Sequence, residues 1–259
     1  MYENTLLGKK VETPSQYTKD ILFPIPREKK MPFSAPYGGD TWNAYELSYL
    51  NEKGKPQIAI GRFFFPLETN NIIESKSLKL YLQSFSEMRF SSEKEVQELI
   101  ERDLSEKAEG KVTVQFLKEA SFQFFDGECI DNLDIEVTDY QINKSCLAAS
   151  AQKVEEKLFS HLFKSLCPVT GQPDWASIYI SYKGQKIDRE GLLRYLVSFR
   201  SHQGFHEEVG ERIYSDVKEK CQTEDLTVMA AFCRRGGLDI NPFRSDVIKH
   251  PPYVRLYRQ

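Results

Sequence analysis

The chain has 259 residues, 40% hydrophobic and 28% charged, enough for one large domain or two ordinary ones whose core needs no covalent staple. Its 35 Lys and Arg against 38 Asp and Glu leave a net charge of −3, which argues against an overall field that draws nucleic acid or an anionic membrane. Met1 to Lys10 lacks the apolar core of a secretory leader, no run nears the ~18 apolar residues of a membrane span, and the five cysteines (Cys129, Cys146, Cys167, Cys221, Cys233) form no C-x-x-C pair. A cytoplasmic protein with reduced thiols and no metal site is therefore expected.

Residues 1–40 carry Pro14, Pro24, Pro26, Pro32, Pro36 and the basic cluster Arg27-Glu28-Lys29-Lys30, and read as an extended N-terminal arm anchored by Ile21-Leu22-Phe23. Trp42 to Leu50 and Gln57 to Phe65 read as strands around the turn Asn51–Gly54. Leu78, Tyr81, Leu82 and Phe85 make one helical stripe, and a second helix opens on Ser92 with Glu95 three residues on. Gly110 is expected to end it, and Lys111 to Lys118 returns to strand.

The second half reads similarly. Leu133 to Ile142 alternates like a strand, and Leu158, Leu162 and Leu166 predict a helix over 154–166. A strand over 175–182 precedes a turn at Lys183-Gly184-Gln185. Asp188 caps a helix through Phe199, another runs from about Phe205, and Leu226 to Arg234 is a strand. Ser77–Phe85 lies over Gly191–Phe199 at a constant offset, and the matching contexts predict a duplicated plan. The expectation is an α+β fold of antiparallel strands with paired helices, divided into an arm (1–40), a first module (41–145) and a second (146–259).

Four stretches carry potential chemistry. Cys167 to Ser177 holds a thiol, a carboxylate at Asp174 and prolines at 168 and 173; Cys167 is either a nucleophile in a stiff turn or a buried structural cysteine. Asp174 would raise rather than lower a nearby thiol's pKa, so it suits proton delivery, or else it merely caps a turn. Phe205-His206-Glu207 opens a helix without the H-E-x-x-H of a zinc protease; His206 and Glu207 either grip a polar ligand edge or are a surface His and a dipole-stabilised Glu. Ile73-Glu74-Ser75-Lys76 opens another helix, where Lys76 opposes the dipole unless an anion lies there. Arg234 through Pro242 sets two arginines before Gly236-Gly237, either a phosphate contact or a solvated turn. No Rossmann, P-loop or nucleophile-elbow motif occurs.

Together these stretches resemble the NADPH-dependent 7-cyano-7-deazaguanine reductases of the long, two-module form. The resemblance rests on Glu74-Ser75-Lys76-Ser77-Leu78-Lys79-Leu80-Tyr81, Gln172-Pro173-Asp174-Trp175, Ser198-Phe199-Arg200 with Phe205-His206-Glu207, and Arg234 to Pro242. It runs from about Leu7 to Gln259. Gly171, Ala176, Gly204 and Phe243 depart from the pattern and touch local loop shape only. The resemblance implies tandem tunnelling-fold (T-fold) modules and reduction of a nitrile to an aminomethyl group, a step toward queuosine in transfer RNA. It implies Cys167 as the nucleophile that forms a thioimide and Asp174 as the proton donor. It places substrate contacts on Ile73, Glu74, Ser75, His206 and Glu207, and contacts to NADPH, used twice per turnover, on Ser75, Lys76, Arg235 and Gly236. A homodimer acting on a small molecule, without direct nucleic-acid binding, is implied too. The rival readings are another tunnelling-fold purine or pterin enzyme, an RNA-directed amine-transferring relative, and a non-catalytic purine-binding protein.

Overall fold

Period-two burial builds long strands in this chain, and i, i+3, i+4 stripes build four helices among the described residues. The computed structural model describes residues 6–11, 14, 16–27, 31–118, 122–138, 140–252 and 254–259. Of the basic cluster at 27–30, residues 28–30 lie outside the described residues. The architecture is α+β with mostly antiparallel pairing, in two compact units: residues 1–28, 40–120 and 234–239, and residues 29–39, 121–233 and 240–259.

In the first unit, β1 (Pro24–Pro26) pairs antiparallel with β4 (Asn71–Ile73), so part of the expected arm forms a strand, with Ile25 buried within it and Leu22 buried just before it. β2 (Tyr37–Asn51, belonging here from Asp40 on) neighbours β3 (Pro56–Pro66), which pairs antiparallel with β6 (Thr113–Leu117). The turn between β2 and β3 is closed by Asn51, whose side-chain oxygen accepts from the Lys53 and Lys55 amides. The helices are α1 (Ser75–Gln83) and α2 (Glu93–Ala108), and β5 (Arg89–Phe90) between them pairs parallel with β2. Ser92 Oγ accepts from the Glu95 amide as expected, while the Glu95 carboxylate turns to Ser91 instead. Closure of α2 falls on Glu109 in the left-handed region (φ 51°), one residue before the expected Gly110. Trp42, Phe63, Phe65, Tyr81, Phe85 and Leu104 are buried in this unit's core.

The second unit orders its strands β11-β10-β9-β8-β7: β7 is Glu128–Cys129, β8 Ala149–Leu166, β9 Pro173–Ile187, β10 Thr223–Phe232 and β11 Leu238–Ser245, the last belonging here from Ile240 on. All these pairs are antiparallel except β7 with β8. The helices α3 (Arg189–Val197) and α4 (His206–Cys221) cover one face, where Phe163 packs against Phe199 and Phe232. On the other face Phe125, Tyr179, Met229, Phe243 and Leu256 form an apolar cluster.

Three expectations are corrected here. Residues 154–166 belong to strand β8, not to a helix. Side chains four apart share a face in helix and strand alike, so the spacing of Leu158, Leu162 and Leu166 does not discriminate between them. A register shift between Ser160 and Phe163 then reverses the alternation, leaving Leu158 buried and Leu162 44% exposed. Residues 133–142 carry no strand among the described residues. Lys183–Gln185 is no turn: β9 runs through it, and Gly184 (φ 145°) lies where an added Cβ would come within 3.0 Å of the Thr223 Cα.

The two helix pairs match in detail. α1 and α3 each span nine residues, capped by Glu74 and Asp188, and end on Ser84 and Ser198, whose hydroxyls donate back to the Tyr81 and Tyr195 carbonyls at 2.6 Å. α2 and α4 each span sixteen residues and close on left-handed Glu109 and Gln222. In one pair the Tyr81 hydroxyl donates to Asp103, and in the other Tyr195 donates to Asp216. Among the described residues no helix is long and apolar enough to cross a membrane, and no group of three or more His, Cys, Asp or Glu could hold a metal ion.

Candidate active site

Strand pairing brings the central thiol and carboxylate together. Pro173, lacking an N–H, opens β9, and the pairing continues one step beyond β8 because the Cys167 amide donates to the Gln172 carbonyl at 2.9 Å. The Gly171 amide donates back to the Cys167 carbonyl at 3.0 Å, closing the loop. The stiff turn expected from the prolines is thus also held by backbone bonds. Alternation along these strands puts Phe163, Ser165 and Cys167 on one face with Asp174 and Ala176, all buried, while Lys164, Leu166 and Trp175 between them are partly or fully exposed. Cys167 is 5% exposed and Asp174 4%.

α4 supplies the third group. His206 Nε2 lies 3.3 Å from Asp174 Oδ2, and its ring stacks flat on Phe232 of β10, centroids 3.7 Å apart. The opposite ring nitrogen, Nδ1, is buried without a hydrogen-bond partner among the described residues. His206 is therefore no ordinary surface histidine. Glu207 is 5% exposed, and the helix-start role falls to its neighbour: the Glu208 carboxylate accepts from the Phe205 amide at 3.1 Å. The buried Arg244 guanidinium donates to the Glu207 carbonyl and pairs with Glu211 one turn on, fixing the start of α4. So Cys167, Asp174, His206 and Glu207 all belong to the second unit, and the first three share one end of its sheet.

The other predicted residues belong to the first unit. Ile73 ends β4 and is buried. Glu74 is 1% exposed and caps α1 with both oxygens, accepting from the Lys76 amide at 2.7 Å and the Ser77 amide at 2.9 Å. Burial raises its carboxyl above the usual range, while those amides and the Lys76 charge pull it back. The Glu74 carboxylate thus caps the helix start beside Lys76. Ser75 and Lys76 follow, half-buried, and Lys76 Nζ donates to the Lys9 carbonyl.

Arg235 and Leu238 exchange backbone hydrogen bonds around Gly236 (φ 57°) and Gly237 (φ 82°), a turn only residues tolerant of positive φ can make. It begins β11, which the sequence pattern does not reveal. Asp239, buried after the turn, accepts from Asn43 Nδ2 at 2.7 Å and the Tyr45 hydroxyl at 2.6 Å, and the Arg234 guanidinium lies 4.5 Å over the Tyr45 ring. A Cβ on Gly236 would sit 3.2 Å from Lys79 Nζ. Lys79 is thus a further cation beside this turn, and its place three residues after Lys76 on one helix is the sequence signal for it. The Asn43–Asp239 and His206–Phe232 contacts had no sequence signal, being made by pairing across long separations.

The family model described as "Nitrile reductase, 7-cyano-7-deazaguanine-reductase N-term" matches residues 13–116, and that described as "QueF-like protein" matches 173–250. An NADPH-dependent 7-cyano-7-deazaguanine reductase of Cupriavidus necator is 49% identical over 94% of this chain and 94% of its own. Those of Desulfotalea psychrophila and Bordetella pertussis are each 46% identical, covering 98% and 99% of this chain and 96% and 98% of theirs. The solved apo archaeosine synthase QueF-Like matches at a TM-score of 0.33 with 19% identity over 40% of this chain and 99% of that one, a likeness too slight to bear on the fold. At nearly half identity over almost its whole length, the chain belongs to the family of NADPH-dependent 7-cyano-7-deazaguanine reductases.

Proposed function

We propose that this protein reduces the nitrile of 7-cyano-7-deazaguanine to an aminomethyl group with NADPH, in queuosine biosynthesis, through a covalent bond to Cys167. The observation that carries the mechanism is the shared face of Cys167, Asp174 and His206 in the second unit. The Cys167 sulfur attacks the nitrile carbon; an S–C bond forms, the S–H bond and one C–N π bond break, the nitrogen takes a proton from Asp174, and the thiol's proton then restores that acid. The nitrogen gains as many protons as the thiol loses, so this step needs no outside reactant. His206 Nε2 holds Asp174 in place, which leaves Nδ1 to accept a hydrogen bond from the heterocycle. Glu74 and Glu207 suit the N–H donors of a guanine-like edge, with Ile73 and Ser75 beside Glu74.

NADPH, when bound, supplies the hydrides, one per molecule and two molecules per turnover. The chain's residues fit such a group: Lys76, Lys79 and Arg235 are cations of the first unit, and the Gly236 turn leaves backbone open where a Cβ would press on Lys79. We assign Ser75, Lys76, Arg235 and Gly236 to this cofactor. An amine-transferring relative would have no use for that set. The two helix pairs of matching length and caps support tandem tunnelling-fold modules, with 1–40 as an arm and the division near 145/146. We further propose a cytoplasmic homodimer that takes a small molecule rather than nucleic acid.

The test is intact-mass analysis after mixing with 7-cyano-7-deazaguanine without NADPH. The wild-type chain gains the mass of one nitrile, and Cys167→Ala gains none. An unmodified wild-type mass refutes the covalent route.

A further inference from the structure

Ser165 stands on the thiol's strand face, and its hydroxyl has no hydrogen-bond partner among the described residues. It lies on β8 directly opposite Asp174 on β9 and two residues before Cys167, at 0% exposure. Directly opposed side chains of an antiparallel pair stand on the same face with Cβ atoms about 4.5–5.5 Å apart. The other buried serines each have a hydrogen-bond partner. Ser77, Ser84 and Ser198 donate to backbone carbonyls, Ser160 and Ser215 accept from backbone amides, Ser177 meets His161, and Ser245 meets Thr227. A buried hydroxyl left without a partner is destabilising, and such a group in a native fold calls for an explanation.

We propose that Ser165 is a positioning residue for Asp174, donating a hydrogen bond to the carboxylate once its proton has gone to the nitrile nitrogen. This rests on the reading of Asp174 as proton carrier. A carboxylate offers about four lone-pair sites, so it accepts a further donor beside His206. Rotation about the single Cα–Cβ bond of Ser165 swings the hydroxyl toward the opposed side chain. Because the carboxylate forms in a buried setting, a donor already in place stabilises it without first being stripped of water. Ser165 acts through Asp174 and makes no bond to the substrate.

The experiment is quenched mixing of enzyme with a concentration series of 7-cyano-7-deazaguanine, read by intact mass, for wild type, Ser165→Ala and Ser165→Thr, with melting temperatures alongside. Ser165→Ala is expected to form the adduct roughly ten- to hundredfold more slowly at saturation, the range for one lost bond to a charged group. Its half-saturating nitrile concentration stays as in wild type, and its melting temperature is equal or higher, because a buried hydroxyl without a partner is removed. Ser165→Thr, which keeps the hydroxyl, recovers most of the rate. Wild-type speed in Ser165→Ala overturns the inference. So does a Thr variant as slow as the Ala variant, which assigns the effect to packing, or a change in half-saturation alone, which assigns it to binding. A wild-type chain that forms no adduct sinks the covalent reading and this inference together. An adduct in wild type beside an unaffected Ser165→Ala sinks the inference alone.

Discussion

At the scale of single residues, Asp174 has the most exposed consequence. It is 4% exposed, touches His206, and shares a strand face with the thiol. Asp174→Asn keeps the shape and loses the acid. It is expected to bind the nitrile with affinity within about threefold of wild type while turnover falls at least ~100-fold, the lower range for removing a general acid. Calorimetric titration and NADPH oxidation check the two halves, and full NADPH oxidation in the variant removes Asp174 from the acid role. Asp174 stood out in the sequence as the carboxylate of the Pro-bearing turn that follows Cys167. Ser165 did not, because its opposite number is fixed only by the β8–β9 register, and the expected helix over 154–166 pointed that segment elsewhere. His206 was half legible: its neighbour Glu was visible, whereas the Phe232 ring beneath it comes from a strand 26 residues on.

At the scale of elements, the helices were legible where caps mark them, as at Ser92 and Asp188, and a strand where alternation is regular, as in β3. β8 was lost because a spacing of four satisfies either periodicity. The paired helices also make a stability comparison possible. Asp216 accepts from Tyr195, while Asp103 accepts from Tyr81, Tyr17 and its neighbour Arg102. Tyr195→Phe takes away the hydroxyl that meets Asp216, whereas Tyr81→Phe leaves Asp103 two donors. Tyr195→Phe is expected to cost about 1–3 kcal/mol and Tyr81→Phe about 1 kcal/mol or less. Urea unfolding of both variants checks the order, and a larger loss for Tyr81→Phe contradicts it. Burial, followed by the adjacent Asp216 charge, holds the Tyr195 phenol well above its usual range, so it stays the donor at any working pH.

At the scale of the whole molecule, the two units carry different assignments: the covalent chemistry in one, the cation set in the other. Variants should sort the same way. Arg235→Ala is expected to raise the half-saturating NADPH concentration about tenfold or more, as loss of one charge-assisted bond of ~1.5–3 kcal/mol predicts. The rate of adduct formation without NADPH should be unchanged. Steady-state kinetics and the mass assay read the two, and equal effects on both count against the cofactor assignment. The helix pairs explain why one architecture tolerates this division: caps, back-bonded serines and tyrosine–aspartate ties recur in both, so the frame does not depend on which residues line its working edge.

Glu74 stands apart from its counterpart Asp188. Each caps its helix, but Glu74 spends both oxygens on the first-turn amides of α1 and is also the residue assigned to grip the substrate. Occupancy of the binding edge and fraying of α1 are then two readings of one carboxylate. Deuterium uptake at the Lys76 and Ser77 amides should change when the nitrile binds to Cys167→Ala, where no covalent bond intervenes. Exchange that slows marks a carboxylate held tighter on its own helix, and exchange that quickens marks one drawn toward the ligand. Unaltered uptake at saturating ligand would separate the cap from recognition. A helix end thus becomes a built-in gauge of occupancy, readable without a label and before any chemistry begins.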